Sequence, residues 1–251
     1  MRGINYARKL IHLAVAGLTL AATGAVVLAP SAAGASAARP EPPKIAYAIT
    51  FAPNSALYRI NPRSHTKKLV GHAKVELTDL TFRGKTLYAI SFTSLYRLNV
   101  KTGSSHEIGA LGLSSANALA TQPKTHILYG ADQQGDLFKI NARTGKVKIV
   151  GVFGHGLGSL GDLTFAGGRL YASVYKPGST RSLLARVNIR TGAAKIIGRI
   201  GYANVYGLVT GQGALYGATF GGNFLAISRS TGRGKLIWKD GLAVGGLASR
   251  S

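Results

Sequence analysis

Two aspartates stand at matching places in a chain that has few acidic residues. Asp79 and Asp162 each begin the motif Asp-Leu-Thr-Phe, and the 251 residues include only eight Asp and Glu in all. Two carboxylates can act as general acid and base, or bind a hard cation through oxygen. Each can instead accept hydrogen bonds from backbone amides. We favour this last interpretation, because the other copies of the segment have Ala118, Gly207 and Gly246.

Aromatic side chains recur at a second set of matching positions. Four residues beyond each of five regularly spaced tyrosines stand Phe51, Phe92, Gln133, Tyr175 and Phe220. Aromatic rings in such a series can stack on sugars or bases. The alternative is an apolar rim that seals the ends of the repeats, since single aromatic residues pack more often than they bind. The predicted ligand-binding set consists of these five residues and the two aspartates.

No catalytic constellation accompanies these residues. The chain has no Cys, which excludes a thiolate zinc site, a cysteine nucleophile and a disulfide scaffold. No serine lies in a Gly-x-Ser-x-Gly motif. Glycoside hydrolysis needs two carboxylates that flank the scissile bond, and either aspartate acting with a histidine such as His155 is the enzymatic alternative. We assign no catalytic residue, no metal ligand and no cofactor.

These positions belong to a repeat that runs through most of the chain. Tyrosines in five repeats follow one another at intervals of 41, 41, 42 and 45 residues, and a small residue follows each. They are Tyr47, Tyr88, Tyr129, Tyr171 and Tyr216. A large ring before a small residue predicts packing of one repeat on the next.

Two further series of segments complete the repeat. One comprises 57–65, 95–103, 137–145, 184–192 and 224–232, of which four end in Thr-Gly, and a short apolar strand follows each. The other precedes the tyrosines at 78–82, 117–121, 161–165 and 206–210. The first repeat lacks this segment, and residues 244–249 supply it at the C-terminus.

Each repeat therefore holds four short strands, which is typical of a β-propeller. We predict an all-β fold over 45–251, a five-bladed β-propeller of four-stranded blades. The C-terminal strand is predicted to pair into the first blade and close the ring, because closure removes the exposed sheet edges of an open array.

The repeat resembles those of secreted bacterial β-propeller proteins grouped as quinoprotein-like, YVTN-like or NHL-like. The likeness rests on the turn Asn-x-Arg/Lys-Thr-Gly, as in 99–103 and 141–145. The tryptophan that usually follows this turn is present only at Trp238. In blade number the chain is similar to tachylectin-like and glycosidase-type propellers. The resemblance implies the fold and leaves the activity open, because propellers carry many unrelated functions.

The first 37 residues are predicted to be a secretory signal peptide. Arg2, Arg8 and Lys9 precede an apolar run over 10–29, and Ala35-Ser36-Ala37 fits a cleavage site. The alternative is an uncleaved anchor, since twenty apolar residues can span a bilayer. Residues 38–44 are predicted to be a short, stiff linker. A cysteine-free exported chain suits a bacterial envelope or extracellular protein.

The basic residues are concentrated in one part of each repeat. The chain has 31 Lys and Arg and a formal net charge of +23. Of the 28 basic residues beyond residue 37, 18 lie in the third and fourth strands and the turns between them. We call this set the basic collar: Arg59, Arg63, Lys67, Lys68, Arg97, Lys101, Lys139, Arg143, Lys146, Lys148, Arg186, Arg190, Lys195, Arg199, Arg229, Arg233, Lys235 and Lys239. It is expected to attract anionic polymers, or only to keep the protein soluble.

Together these features predict a monomeric, secreted or envelope-associated binding protein without enzymatic activity. Its partner would be a glycan, an anionic cell-envelope polymer or an envelope protein. A polysaccharide hydrolase or lyase with its site in the central channel is the alternative, and a platform for protein partners alone is a third interpretation. Nucleic acid would be bound without sequence specificity, because no recognition motif is present. Membrane contact is expected only if the leader is uncleaved.

Overall fold

The computed structural model describes residues 40–179 and 181–250. The predicted signal peptide and its alternative as an anchor lie outside these residues. In the two described stretches, no helix has the length and apolar character needed to cross a bilayer.

In the described residues, twenty antiparallel strands form five four-stranded sheets, each of which is one blade. Blade 1 contains β1 (Ala46–Thr50), β2 (Ala56–Asn61), β3 (Thr66–His72) and β20 (Val244–Ser249). Blade 2 contains β4 (Asp79–Arg83), β5 (Thr86–Ile90), β6 (Ser94–Leu98) and β7 (Ser105–Ala110). Blade 3 contains β8 (Ala116–Thr121), β9 (Leu128–Asp132), β10 (Asp136–Ile140) and β11 (Val147–Val152). Blade 4 contains β12 (Gly158–Ala166), β13 (Arg169–Tyr175), β14 (Arg181–Val187) and β15 (Ala194–Ala203). Blade 5 contains β16 (Val205–Gly211), β17 (Ala214–Thr219), β18 (Asn223–Ile227) and β19 (Gly234–Lys239).

The five blades form a closed ring. Strands β4, β8, β12, β16 and β20 contact one another in that order, and β20 contacts β4 again. These strands therefore surround the central channel, and the fourth strand of each sheet lies at the outside. The prediction of a five-bladed propeller is confirmed.

The C-terminal strand closes the ring as predicted. β20 pairs antiparallel with β1 in the order β20-β1-β2-β3, with Ala46 opposite Ser249 and Ala48 opposite Leu247. Blade 1 thus takes its innermost strand from the end of the chain and its other three from the beginning.

The core lies between successive blades. The repeated tyrosines are at most 9% exposed, which confirms their predicted packing role. Tyr47 of blade 1 packs on Phe82 of blade 2, with ring centroids 5.4 Å apart. Tyr129 of blade 3 packs on Phe165 of blade 4 at 5.9 Å.

The repeated Asn and Gly residues build the turn between the third and fourth strands. In blade 2, Asn99 Oδ1 accepts a hydrogen bond of 2.9 Å from the amide of Lys101, and Gly103 has a φ of +75°. A Cβ on Gly103 would lie 2.5 Å from the carbonyl carbon of Gly71 in β3. The turn glycine therefore allows both the turn and the close approach of blade 1.

The seam between blades 5 and 1 replaces this contact of glycines by stacked aromatic rings. His65 occupies the turn position of the glycine, and Trp238 occupies the position of Gly71 in its strand. The two rings are 5.7 Å apart and inclined by 10°. The two departures from the repeat are thus one feature, and they face each other where the ring closes.

Part of the predicted linker packs against the propeller. The Tyr216 hydroxyl donates to the carbonyl of Pro40 over 2.6 Å, and Arg63 Nε donates to the carbonyl of Pro42 over 2.7 Å. Arg63 also forms an ion pair with Glu41. These contacts attach the segment to blades 1 and 5.

Candidate functional site

Asp79 and Asp162 meet in the centre of the ring. Asp79 begins β4 in blade 2, and Asp162 lies in β12 of blade 4. Both side chains are fully buried and lie within hydrogen-bonding distance of each other. The small residues at the three matching positions leave room for them. A Cβ on Gly246, for example, would lie 2.2 Å from Asp79 Oδ1.

The two carboxyl groups tie together all five innermost strands. Asp79 accepts the amide of Leu80 at 2.7 Å in its own strand and that of Leu119 in β8 at 2.6 Å. Asp162 Oδ2 accepts the amides of Leu208 in β16 at 2.5 Å and Leu247 in β20 at 3.2 Å. The contact between the aspartates joins these two sets. Their first role is therefore to hold the ring together from inside.

The surroundings of the pair favour a protonated carboxyl group. Burial is the main cause that raises the pKa of both carboxyl groups well above the ordinary value, and each charge would also repel the other. Asp162 Oδ1 is buried and has no hydrogen-bond partner among the described residues. A proton between the two carboxyl groups would satisfy this oxygen and remove one of the two buried charges.

A cavity of about 100 Å³ lies at the mouth of the channel. Three of the predicted residues, Phe51, Phe92 and Gln133, line its rim. Five of its other lining residues directly precede the two aspartates and their counterparts in the ring: Thr78, Asn117, Gly161, Tyr206 and Gly245. Leu160 also lines the cavity. Asp79 and Asp162 do not line the cavity.

Three aromatic rings of this rim and the neighbouring Phe220 form a row of four. Phe92 and Phe51 are 6.1 Å apart, Phe51 and Tyr206 are 6.3 Å apart, and Tyr206 and Phe220 are 6.0 Å apart, measured between ring centroids. The first three are half-buried, and Phe220 is 41% exposed. The row gives the mouth a continuous aromatic edge on the side of blades 1, 2 and 5.

Tyr175 lies beside the row rather than in it. Its hydroxyl donates to the carbonyl of Gln133 over 3.1 Å, and its ring covers Gly158. Tyr175 and Phe220 are thus near the mouth but do not line the cavity itself.

Sequence reasoning did not select Thr78, Asn117 or Tyr206 as site residues. All three were visible as the first residue of the segments 78–82, 117–121 and 206–210. Whether the side chain before a channel-facing residue points toward the mouth can be decided only when the register of the innermost strand is known. An alignment of the repeats places the three residues at one position. Their side chains differ in chemistry, so the position did not stand out as a candidate site.

The chemistry of the mouth is aromatic and neutral. Among the residues that the structure describes, no charged side chain lines the cavity. Asn117 is 5% exposed, and its amide donates to the carbonyl of Ser159 over 2.8 Å, while its Oδ1 has no partner among the described residues. Aromatic faces with a free amide oxygen suit the apolar face and a hydroxyl group of a sugar.

Asp79 and Asp162 are not placed as the enzymatic alternative requires. Carboxylates that cleave a glycosidic bond stand roughly 5 to 9.5 Å apart with the bond between them. Asp79 and Asp162 are instead in contact and fully buried. His155 is exposed in the loop before β12 and does not line the mouth. Among the described residues, no group of three or more His, Asp and Glu converges as a metal site.

The basic collar is a second candidate site. All its members except the half-buried Lys139 are exposed. Four of the eight acidic residues are buried: Asp79, Asp132, Asp162 and Asp240. In residues 40–179 and 181–250, the ion pair of Arg63 with Glu41 is the only salt bridge. The positive charge at the outside of the blades is therefore almost uncompensated.

Collar residues of like charge lie directly opposite each other on neighbouring strands. The cross-strand pairs are Arg59 with Lys68, Lys139 with Lys148 and Arg186 with Lys195. Such pairs destabilise a sheet. On the next strand inward, the repeated tyrosine of each of these blades lies opposite the first cation of the pair. In blade 3, for example, Lys139 Nζ lies 5.7 Å from the centre of the Tyr129 ring.

Solved structures share this fold. No protein-family model matches the sequence. No curated protein matches it either. A chain in the crystal structure of a nidogen/laminin complex is similar with a TM-score of 0.55 and 14% identity, over 81% of this chain and 97% of that one. A protein of unknown function from Bacteroides thetaiotaomicron VPI-5482 is similar with a TM-score of 0.50 and 15% identity over 78% of this chain, which spans 58% of its length. At these identities the likeness shows the propeller fold alone.

Proposed function

We propose that this propeller is an exported, non-enzymatic binding protein whose basic collar holds an anionic polymer of the cell envelope. The observation that carries the proposal is the row of like charges across the outer strands. Cations placed opposite one another cost folding stability, and no acid beside them offsets the cost. An anionic chain laid across the blades would neutralise these rows.

The propeller form supports a binding role in two ways. Paired cations occupy matching positions in blades 1, 3 and 4, and blades 2 and 5 each have a cation at one of the two positions, so a flexible polyanion can follow the outside from blade to blade. Long-range attraction by a surface of one sign also speeds the encounter with a charged partner. A lone patch on one blade would offer neither property.

Binding of poly(glycerol phosphate) is expected to be strong at low salt and to weaken at least tenfold between 50 and 200 mM NaCl. Counterions released from the polymer by bound Lys and Arg cause this dependence. The dissociation constant is measured by fluorescence anisotropy of an end-labelled polymer. Binding that does not change with salt, or no binding at 50 mM NaCl, contradicts the proposal.

Two matched variants test whether the collar is the site. In the collar variant, Lys68, Lys148 and Lys235 of the outer strands are replaced by Gln. In the control, the exposed Lys74, Lys85 and Lys124 outside the collar are replaced by Gln. Both lose the same net charge. The collar variant is expected to lose several times more affinity than the control, and equal losses would assign the effect to net charge alone.

The channel mouth supports a second candidate function, the binding of a neutral sugar. The four-ring aromatic edge and the unpartnered Asn117 Oδ1 favour it. Because the cavity is small, it suits a single terminal ring rather than a long chain. This function could accompany polymer binding, since the collar and the mouth are separate surfaces.

Replacement of Phe92 by Ala is expected to abolish saturation-transfer signals from a bound neutral oligosaccharide. In nucleic-acid sites, alanine substitution of an aromatic ring that stacks on a base costs about 1 to 3 kcal/mol of binding free energy. We expect a loss of similar size for a sugar that stacks on Phe92. Ile149→Ala, at an exposed apolar side chain on β11, is the control. The mouth is ruled out as a sugar site if no oligosaccharide of the panel binds the wild-type protein, or if Phe92→Ala and Ile149→Ala bind the oligosaccharide equally well.

A further inference from the structure

A groove of about 270 Å³ between blades 4 and 5 is lined by four basic side chains. They are Arg169, Arg186, Lys195 and Arg229, and all four are exposed. The buried ring of Tyr171 contributes to the lining. All eight Asp and Glu residues lie in the described part of the chain, and none of them lines this groove.

The four cations come from both walls. Tyr171, Arg186 and Lys195 are cross-strand neighbours in one row over β13, β14 and β15 of blade 4. Arg169 lies two residues before Tyr171 and so on the same face of β13. Arg229 comes from the turn between β18 and β19 in blade 5, and its Nη1 lies 3.0 Å from where a Cβ on Gly167 would be. The guanidinium thus reaches across to blade 4.

Arg229 stands where the other blades have an apolar residue. This is the second position of the repeated turn, and its counterparts are Pro62, Val100, Ala142 and Ile189. Three of these pack into the cluster that holds the tyrosine of the preceding blade: Val100 with Tyr47, Ala142 with Tyr88 and Ile189 with Tyr129. An apolar side chain thus packs at each of these three places. At Tyr171 a charged side chain stands there instead, and it lines the groove.

Arg169 is a second departure from the repeat in the same groove. Its counterparts, two residues before the other tyrosines, are Ile45, Thr86, Ile127 and Ala214. Arg186 and Lys195, by contrast, have basic counterparts in several blades. Arg169 and Arg229, one from each wall, therefore add to the repeated pair Arg186 and Lys195. The repeat accounts for the pair but not for the two additional arginines.

We propose that this groove binds a phosphodiester group of the anionic polymer and sets the position at which the polymer is held. The inference rests on the proposed function, of which it names the specific contact. A guanidinium presents two parallel N–H donors that match two oxygens of a phosphate. Arg169 and Arg229 can therefore hold the phosphate from opposite walls, while Arg186 and Lys195 supply further positive charge. The groove has room for the phosphate and its attached carbons, since one water occupies about 30 Å³ in the liquid.

The test compares two double variants of the full-length protein. Arg169→Ala with Arg229→Ala removes the arginines peculiar to the groove. Arg143→Ala with Arg190→Ala removes two exposed arginines from the turns of blades 3 and 4, so the net charge is the same. A single variant, Arg229→Val, restores the apolar residue found at Val100. Binding is measured with poly(glycerol phosphate) and with dextran sulfate of matched length, and unfolding curves confirm that each variant is folded.

We expect the groove variant to lose at least tenfold in affinity for poly(glycerol phosphate), and the control less than threefold. Arg229→Val should behave as the groove variant does. Equal losses in both double variants would overturn the groove as a site while leaving polymer binding by the collar intact. A tenfold loss that is as large with dextran sulfate would assign the groove to oxyanions in general and overturn its assignment to phosphodiesters.

Inorganic phosphate separates this inference from the proposed function. It is titrated into protein labelled with ¹⁵N-arginine, and the Nε–H resonances of Arg169 and Arg229 are expected to shift together and saturate. If the wild-type protein fails to bind the polymer at all, the proposed function falls. Saturating shifts would then still support an anion site in the groove, and their absence would overturn it.

Discussion

The free energy of unfolding is expected to fall by about 1.4 kcal/mol for each unit of pH above about pH 4, until the pKa of the shared proton is reached. Burial raises the pKa of both Asp79 and Asp162 in the folded protein, so we expect the folded pair to keep one proton that the unfolded chain has lost. In the unfolded chain both groups ionise near the ordinary value of about 3.9. The folded state binds more protons in this window, so stability is greatest at the acidic end and is lost as pH rises. Urea unfolding at pH 5, 6, 7 and 8 measures the slope.

Asp162→Asn is the matched variant for this prediction. An amide at this position can accept the bonds from Leu208 and Leu247 through its oxygen and donate N–H to Asp79. It therefore replaces the proton and removes the neighbouring charge, so the slope should fall, although burial still raises the pKa of Asp79. Burial also raises the pKa of Asp132 and Asp240, so some slope remains in both proteins. An unchanged slope in Asp162→Asn would show that the pair does not share a proton.

Asp162→Ala should be far more harmful than Asp162→Asn. It leaves the amides of Leu208 and Leu247 buried without their acceptor, at about 1 to 3 kcal/mol for each unsatisfied group. We expect a loss of at least about 2 kcal/mol at any pH. The contrast between the two substitutions distinguishes the hydrogen-bonding role of the side chain from its charge.

Removal of residues 244–251 is expected to prevent the formation of the propeller. The deletion takes away β20, exposes the edge of β1, and removes the buried side chains of Val244 and Leu247. It also removes one donor to Asp162. Single domains are stable by only about 5 to 15 kcal/mol, and loss of an entire innermost strand should exceed that margin. The readout is loss of the cooperative unfolding transition and collapse of amide resonance dispersion.

Two controls define this experiment. Deletion of residues 250–251 alone leaves β20 whole and should preserve the transition. A synthetic peptide of residues 243–251, added to the truncated chain, should restore dispersion by pairing with β1. A truncated chain that unfolds cooperatively with native stability would show that the ring does not depend on its C-terminal strand.

The two aspartates resemble a catalytic pair in the sequence but have a structural role in the fold. Paired carboxylates in a channel are the pattern of a hydrolase, yet these two face each other and accept backbone amides. The other three blades have no carboxylate at the matching position, only the small residues Ala118, Gly207 and Gly246. Ligand binding is therefore better sought at the aromatic mouth and on the outer strands, where side chains reach solvent.

The architecture could be predicted from the residues because repetition is a local property. The spacing of Tyr47 and its four counterparts marked the blades, and the turn at Asn99 and Gly103 carries its own backbone preferences. The missing segment before Tyr47 and its presence at 244–249 predicted the closure of the ring. None of these inferences needed to know which strands face one another across the centre.

Contacts between distant blades could be decided only by the tertiary structure. Asp79 and Asp162 are 83 residues apart in blades that are not neighbours, and a shift of one residue in either strand would turn its carboxyl group away from the channel. Arg169 and Arg229 were each visible as a departure from the repeat. That they line one groove follows from the packing of the blade 5 turn on blade 4, because closing a ring brings together residues whose separation along the chain carries no information about their distance.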